Sequence, residues 1–253
     1  MSIIKPVIQL YSVRDHLDKD PDHTLKSLSD MGYAHVEMAG TAGLEHEAFK
    51  VLLNKHGLTA VSSHLPYEKI VEQTESIIEE ARLFDLEFVV VPWLGGDAFG
   101  DAHAWQSAAS QMNSAGAILR SAGIKLCYHN HAHEFAEYDG KTAFDHIFDH
   151  SESTNLGLEL DTAWAAIGNS NVPALIDRFK GRLPLLHLKD YRLDSNGEPV
   201  LTELGHGIIK WGPILEAAQN AGVIWYIAEL DNSESDSLES AHINISFMQE
   251  YFI

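Results

Sequence analysis

The chain has 253 residues, 45% of them hydrophobic and 21% charged, the balance of an ordinary globular protein. Its 17 lysines and arginines face 37 aspartates and glutamates; this formal net charge of −20, with no basic run, speaks against nucleic acid and anionic membrane as partners. The single cysteine, Cys127, rules out an intramolecular disulfide and fits a reducing compartment.

Residues 1–10 lack the charged start and long apolar stretch of a signal peptide, and no run reaches the ~18 apolar residues of a membrane span. A cytoplasmic location is expected. In chain order, residues 3–10 read as a strand running into Tyr11-Ser-Val-Arg-Asp15, and Pro21 opens a helix over 21–31 with acidic residues in its first turn. A strand over 34–38 and a helix over 45–56, stopped by Gly57, come next. The strand over 58–63 is closed by His64-Leu-Pro66. Ile70, Ile77, Ile78 and Ala81 sit at helical spacing in one long predicted helix, 67–84. The strand at 86–91 is continuous in Phe and Val, as a strand covered on both faces would be. A helix over 102–122 ends before Gly123.

The second half repeats the rhythm. A strand at 124–128 precedes a helix at 141–150, and a strand at 156–161 precedes a helix at 172–180. A strand at 183–188 leads through a turn at Ser195-Asn-Gly197 to a helix at 213–219. A strand at 223–230 and a helix from 238 close the chain. Eight strand–helix units of about 32 residues, with no linker between them, predict a single (β/α)8 barrel domain over residues 1–253. A dinucleotide-binding sheet would want a glycine-rich turn after the first strand, and Leu10-Tyr-Ser-Val-Arg14 has none.

Chemistry in such a barrel sits at the carboxyl ends of the strands. Those ends carry Gln9 and Tyr11, Glu37, His64, Trp93, His129-Asn-His131, Glu159 with Asp161, His187 with Lys189, and Glu229 with Asp231. Each strand starts apolar and finishes polar or aromatic, which predicts a polar mouth on an apolar barrel. Leu156, Leu158 and Leu160 take one parity of their strand and Glu159 and Asp161 the other, so both carboxylates look the same way. Two acids on a buried face need a metal, a cationic partner or access to water. Asp161 is read as a metal ligand with Glu159 one layer deeper; a hydrogen-bonded structural acid pair is the alternative. A carboxylate, an imidazole and a second carboxylate from neighbouring strands make a mixed N/O site for one divalent ion, Mn, Mg, Co, Fe or Zn.

Most of the 15 histidines are expected at the surface. His129 is placed in the barrel, and Asn130, His131 and Glu134 among the substrate contacts; the alternative is a histidine-rich loop whose outer members, His133 especially, face water. Gln9, Glu37 and Glu159 join those contacts. Gly205-His206-Gly207 either lets backbone approach a ligand, with His206 as a contact, or is a turn without function. Trp93 and Trp164 either line a sugar face or pack in the core.

The stretches Gln9-Leu-Tyr-Ser-Val-Arg-Asp15, Tyr128-His-Asn-His-Ala-His-Glu-Phe135, Glu159-Leu-Asp161, His187-Leu-Lys-Asp190 and Glu229-Leu-Asp231 resemble the sugar phosphate isomerase/epimerase family of xylose-isomerase-like TIM barrels. The resemblance runs in order across nearly the whole chain. It implies one divalent metal near the barrel mouth, held by the last four strands: His129, Asp161, His187 and Glu229. In the ketose 3-epimerase branch the fifth strand carries a glutamate, which shuttles the proton with its eighth-strand counterpart across the sugar. His129 departs from that pattern and puts symmetrical two-glutamate epimerisation in doubt, although an imidazole can still ligate metal or move a proton. Gly205-His-Gly207 also departs, since relatives often carry an acid between the glycines.

The activity expected is metal-dependent isomerisation or epimerisation of a sugar, keto-sugar or sugar phosphate, by proton abstraction next to a carbonyl. The metal would act as Lewis acid on the developing enediolate. Glu229 would hold the metal and serve as base, and Lys189 and His64 would donate to the oxygen that gains charge. Lys189 paired with Asp190 or Glu159 as a plain salt bridge is the rival role. Loss of a β-hydroxyl on the same site gives a dehydratase of a keto-sugar or keto-cyclitol instead. Phosphodiester hydrolysis, the chemistry of endonuclease IV-like members of this superfamily, is opposed by the charge of −20. A sugar-binding barrel without chemistry is opposed by the retained Asp161, His187 and Glu229. Self-association is left open.

Overall fold

The computed structural model describes residues 5–95 and 99–252. Eight parallel strands close into a barrel: β1 (Pro6–Gln9), β2 (His35–Met38), β3 (Thr59–His64), β4 (Phe88–Val91), β5 (Lys125–His129), β6 (Leu156–Asp161), β7 (Leu185–Leu188) and β8 (Trp225–Ala228). Neighbours in the chain are neighbours in the barrel, and β8 pairs with β1 to close it. This is the (β/α)8 architecture read from the sequence. Ile3 and Ile4, placed in the first strand above, lie outside the described residues.

Apolar residues pack on both sides of the barrel wall. Ile8, Val36, Val89, Leu126, Leu158 and Leu186 belong to the outer layer between strands and helices. Inside, Val7, Val61, Phe88, Val90, Cys127, Leu185 and Ile227 form a separate plug. Two residues further along four of these strands the side chain turns polar: Gln9 after Val7, His129 after Cys127, His187 after Leu185, and Glu229 after Ile227. Because residues two apart share a face, this puts a polar layer on top of the apolar plug. Gly157, on the same parity as Glu159, has no room for more: a Cβ there would lie 2.9 Å from Cys127 Sγ and 3.0 Å from Lys125 Cε.

The register sets the polar layer. Gln9 lies opposite Glu37, and Glu37 opposite Ser62 after a shift in the β2–β3 register between Val36 and Glu37. His129 lies opposite Glu159, and Asp161 opposite His187.

Three departures from the sequence reading have local causes. The helix expected at 67–84 is two, Tyr67–Glu72 and Thr74–Phe84, broken at Gln73 (φ −129°, ψ 36°). The break brings Lys69 Nζ within 2.7 Å of the buried Glu80 Oε2; on one continuous helix, eleven residues would separate them by about 16 Å. A helix at Thr162–Ile167 was not expected; Asp161 caps it by accepting the Trp164 N–H at 2.8 Å. The loop at 195–197 is the tip of an antiparallel hairpin, Asp190–Leu193 with Pro199–Thr202. No helix among the described residues is long and apolar enough to cross a membrane.

Candidate active site at the barrel mouth

The strand ends of β5 to β8 bring His129, Asp161, His187 and Glu229 together, with one ligand-type atom of each within 4.8 Å of all the others. All four are buried. Ligands of a tetrahedral ion at about 2.1 Å each are about 3.4 Å apart, so this set closes on a cation with side-chain shifts on the order of 1 Å. Asp161 is held by backbone on one side: Oδ1 accepts the Trp164 N–H, and its own N–H donates to Asn130 Oδ1 at 3.0 Å. Asp161 Oδ2 accepts no hydrogen bond, although it is buried. Its neighbours are Lys189 Nζ at 2.9 Å and His129 Nε2 at 3.8 Å.

Lys189 is fully buried, with Nζ also 2.7 Å from Glu229 Oε2 and 2.8 Å from Asp231 Oδ1. The partners weighed from the sequence were Asp190 and Glu159; the structure gives it Asp161, Glu229 and Asp231 instead. Burial works against the ammonium, but these three carboxylates hold its pKa above the ordinary lysine range. Burial raises Asp161 to about 6, with Glu229 adding to the rise and Lys189 opposing it. Glu229 is pulled well below the usual carboxylate range, because Lys189 and His187 outweigh its burial. Such a carboxylate is a ready ligand and a weak base.

Beneath this set lies a second one. His187 is buried between Glu229, whose Oε2 accepts its Nδ1–H at 2.8 Å, and Glu37, whose Oε1 accepts its Nε2–H at 2.7 Å. His64 Nε2 lies 2.7 Å from Glu159 Oε2 and 3.0 Å from Glu37 Oε1. Despite burial, those two carboxylates raise His64 to about 10 and lift His187 well above the ordinary histidine range, with Glu229 contributing to the latter. His129, by contrast, is held well below it by burial and the neighbouring imidazoles. Burial raises Glu159, and Glu37 adds to that. His64, His129, Glu159 and His187 form a second group converging within 4.8 Å.

A cavity of about 740 Å³ opens above, lined on its inner side by His64, His129, His131, Trp164, Glu229 and Asp231. Trp93 stands half-exposed on its wall. Burial lowers His131 to about 3, so it is a neutral imidazole, and its Nδ1 has no hydrogen-bond partner; nor does Trp164 Nε1. Of the other expected substrate contacts, Gln9, Glu37 and Glu159 are fully buried and do not line the cavity. Asn130 is turned to the Asp161 backbone. Glu134 accepts the Tyr128 O–H at 2.6 Å and the His131 N–H at 2.7 Å, clamping the loop after β5. His206 lies apart from the cavity, exposed in a shallow depression with His242, Phe247 and Tyr251. The glycines beside it admit a carboxylate of the protein itself: Gly205 and Gly207 donate to Asp190 Oδ2 at 3.1 and 3.3 Å.

The sequence reading left Asp231 out of the site, yet it lines the cavity beside Glu229, and burial and Glu229 raise its pKa. The repeated pattern Glu-Leu-Asp at 159–161 and 229–231 was the available signal. Tyr11, one of the strand-end residues named from the sequence, also lines the cavity; Thr41, His46 and Lys69 carried no such signal.

Fold and site together define a barrel of the kind that places acid, imidazole and carboxylate groups at the strand ends around a small-molecule cavity. The chain belongs to the xylose isomerase-like TIM barrel family, whose model matches residues 25–251. It is similar to an inosose dehydratase of Geobacillus kaustophilus (strain HTA426), 23% identical over 202 residues, 71% of this chain and 64% of that protein. A second inosose dehydratase, of Lacticaseibacillus casei, is 23% identical over 54% of this chain and 51% of its own length. The chain thus spans less than two thirds of the curated relatives it matches. Among solved structures it is similar in fold to a sugar phosphate isomerase/epimerase from Parabacteroides distasonis ATCC 8503 (TM-score 0.86, 21% identity, 99% of this chain and 95% of that one). It is likewise similar to an IolI protein with a bound zinc atom (TM-score 0.76, 14% identity, 98% of this chain and 97% of that one). Family members so named are enzymes.

Proposed function

We propose that the protein is a metal-dependent isomerase or epimerase that removes a proton next to the carbonyl of a sugar, keto-sugar or sugar phosphate. The observation that carries this reading is the convergence of His129, Asp161, His187 and Glu229 at and just beneath the floor of the cavity, each with a ligand-type atom within 4.8 Å of the others. Two imidazoles and two carboxylates suit Zn, Mn, Co, Fe or Mg. These four residues would hold the ion, which when bound supplies a Lewis acid to the substrate carbonyl.

The remaining work belongs to side chains around the cavity. Trp93 and Trp164 offer apolar faces to a sugar ring, and the neutral His131 imidazole stands beside them on the cavity wall. Asp231, with its raised pKa, is the better proton acceptor of the two eighth-strand acids, and Glu229 the better ligand. His64 brings positive charge to the cavity wall, while the three carboxylates around Lys189 keep that lysine as a counter-ion. A small carbohydrate as substrate and a cytoplasmic setting, away from nucleic acid, fit the charge of −20 and the lone buried Cys127.

Dehydration is the second reading, favoured by a specific asymmetry. Among the described residues lining the cavity, Glu229 and Asp231 stand at the end of β8 and the imidazoles His64, His129 and His131 at the ends of β3 and β5. Glu80 is paired with Lys69, so none of these carboxylates is placed opposite Glu229 and free to return a proton to the other face. The curated relatives are named for that reaction. Incubation with keto-sugars and keto-cyclitols in deuterium oxide, with each candidate metal, decides between the readings. Deuterium entering a carbon position without loss of water supports isomerisation or epimerisation. Loss of water with a new conjugated carbonyl supports the lyase. No exchange of any carbon-bound proton with any metal contradicts both.

A further inference from the structure

Glu37 and Glu159 are buried acids that do not line the mouth cavity, yet each touches an imidazole of the proposed metal set. We infer that they are positioning residues: they hold the inner nitrogens of His187 and His129, so that His187 presents Nδ1 and His129 presents Nε2 to an ion shared with Glu229 and Asp161. This rests on the metal reading above.

The contacts divide each ring cleanly. His187 directs Nε2 to Glu37 Oε1 at 2.7 Å and Nδ1 to Glu229 Oε2 at 2.8 Å. His129 directs Nδ1 to Glu159 Oε2 at 3.0 Å and Nε2 towards Asp161 Oδ2 at 3.8 Å. An imidazole bound to a metal through one nitrogen has its other N–H held by an acceptor, and a carboxylate is a common one. Glu37 is itself anchored: Gln9 Nε2 donates to Oε1 at 2.7 Å and Ser62 Oγ to Oε2 at 2.6 Å. These contacts give two buried polar residues of β1 and β3 a purpose beyond filling the barrel. His64 Nε2, between Glu37 and Glu159, keeps the two buried acids from repelling one another.

The rival is an ion in the deeper group of His64, His129, Glu159 and His187, where His187 would ligate through Nε2. Apart from Glu159 Oε1, the contacts of that group are already made at 2.7–3.2 Å. In the outer set Lys189 Nζ holds Asp161 Oδ2 and Glu229 Oε2 at 2.9 and 2.7 Å, but His129 Nε2 stands 3.8 Å from Asp161 Oδ2, and both His129 and Glu229 line the cavity from which an ion would enter.

The test uses the full chain, stripped of metal, labelled with nitrogen-15 in its histidines and titrated with zinc. Side-chain nitrogen shifts identify the coordinating atom, and competition with a chelator gives the zinc affinity. At one equivalent, His187 is expected to ligate through Nδ1 and His129 through Nε2. Glu37→Leu is expected to weaken zinc binding by about 10- to 100-fold, with Glu37→Gln, which keeps an acceptor oxygen, recovering part of the loss. Ser62→Ala, which removes one anchor of Glu37 and leaves the acid in place, is expected to weaken it severalfold even if Glu37→Leu fails to fold. Coordination through His187 Nε2, or zinc affinity unchanged in the folded variants, overturns the inference and leaves the metal reading standing. A wild-type protein that takes up no zinc overturns both.

Discussion

Asp161 and Asp190 are both fully buried aspartates near strand ends, and their surroundings could hardly differ more. Asp190 accepts backbone N–H groups from Tyr191, Gly205, Gly207 and Ile209 and the indole N–H of Trp211, all within 3.3 Å. Its charge is met by neutral donors, and it ties the loop after β7 into one piece. Asp161 has one oxygen committed to the helix it caps and the other paired with the buried Lys189 ammonium at 2.9 Å, with the His129 imidazole 3.8 Å away. A buried carboxylate saturated by neutral N–H donors is structural; one whose second oxygen meets a charged side chain and an imidazole under a cavity is placed for chemistry.

Exchanging the roles of these two residues should separate stability from turnover. The largest effect is expected from Asp161→Ala: a fall in turnover on the order of 10³-fold with the substrate found by the deuterium screen. Its melting temperature should stay within about 5 °C of wild type by calorimetry. Asp190→Asn should do the reverse. An amide cannot accept from donors on both sides, so about 3–5 kcal/mol of stability is lost, seen as a melting temperature about 10 °C lower, while the folded fraction keeps its turnover. Gly207→Ala reaches the same carboxylate by sterics, because a Cβ there would fall 2.1 Å from Asp190 Oδ1. Chemical denaturation should show a loss of about 1–3 kcal/mol. The smallest effect is Trp93→Ala: KM raised about 10-fold, with stability within about 0.5 kcal/mol, since the ring is half-exposed on the cavity wall.

The difference between the two aspartates also marks how far the sequence could be read. Alternation along β5 to β8 placed His129, Asp161, His187 and Glu229 on inward faces, because a period of two is written in the residues themselves. The barrel followed from eight such units in a row. What was hidden is what depends on contacts across the chain. Asp190 carries no label distinguishing it from Asp161, since its five donors come from residues up to 21 positions away. Glu37 looked like a substrate contact because its strand end was polar; its partners Gln9, Ser62 and His187 come from three other strands. The break at Gln73 likewise serves a Lys69–Glu80 pair that no helical periodicity foretells.

The most direct measurement is an anomalous-difference map of a crystal of the full chain grown with one equivalent of zinc or manganese. A single strong peak is predicted about 2.0–2.3 Å from His129 Nε2, Asp161, His187 Nδ1 and Glu229 together. A map with no peak among those four side chains, or with the ion bound elsewhere, would contradict the account.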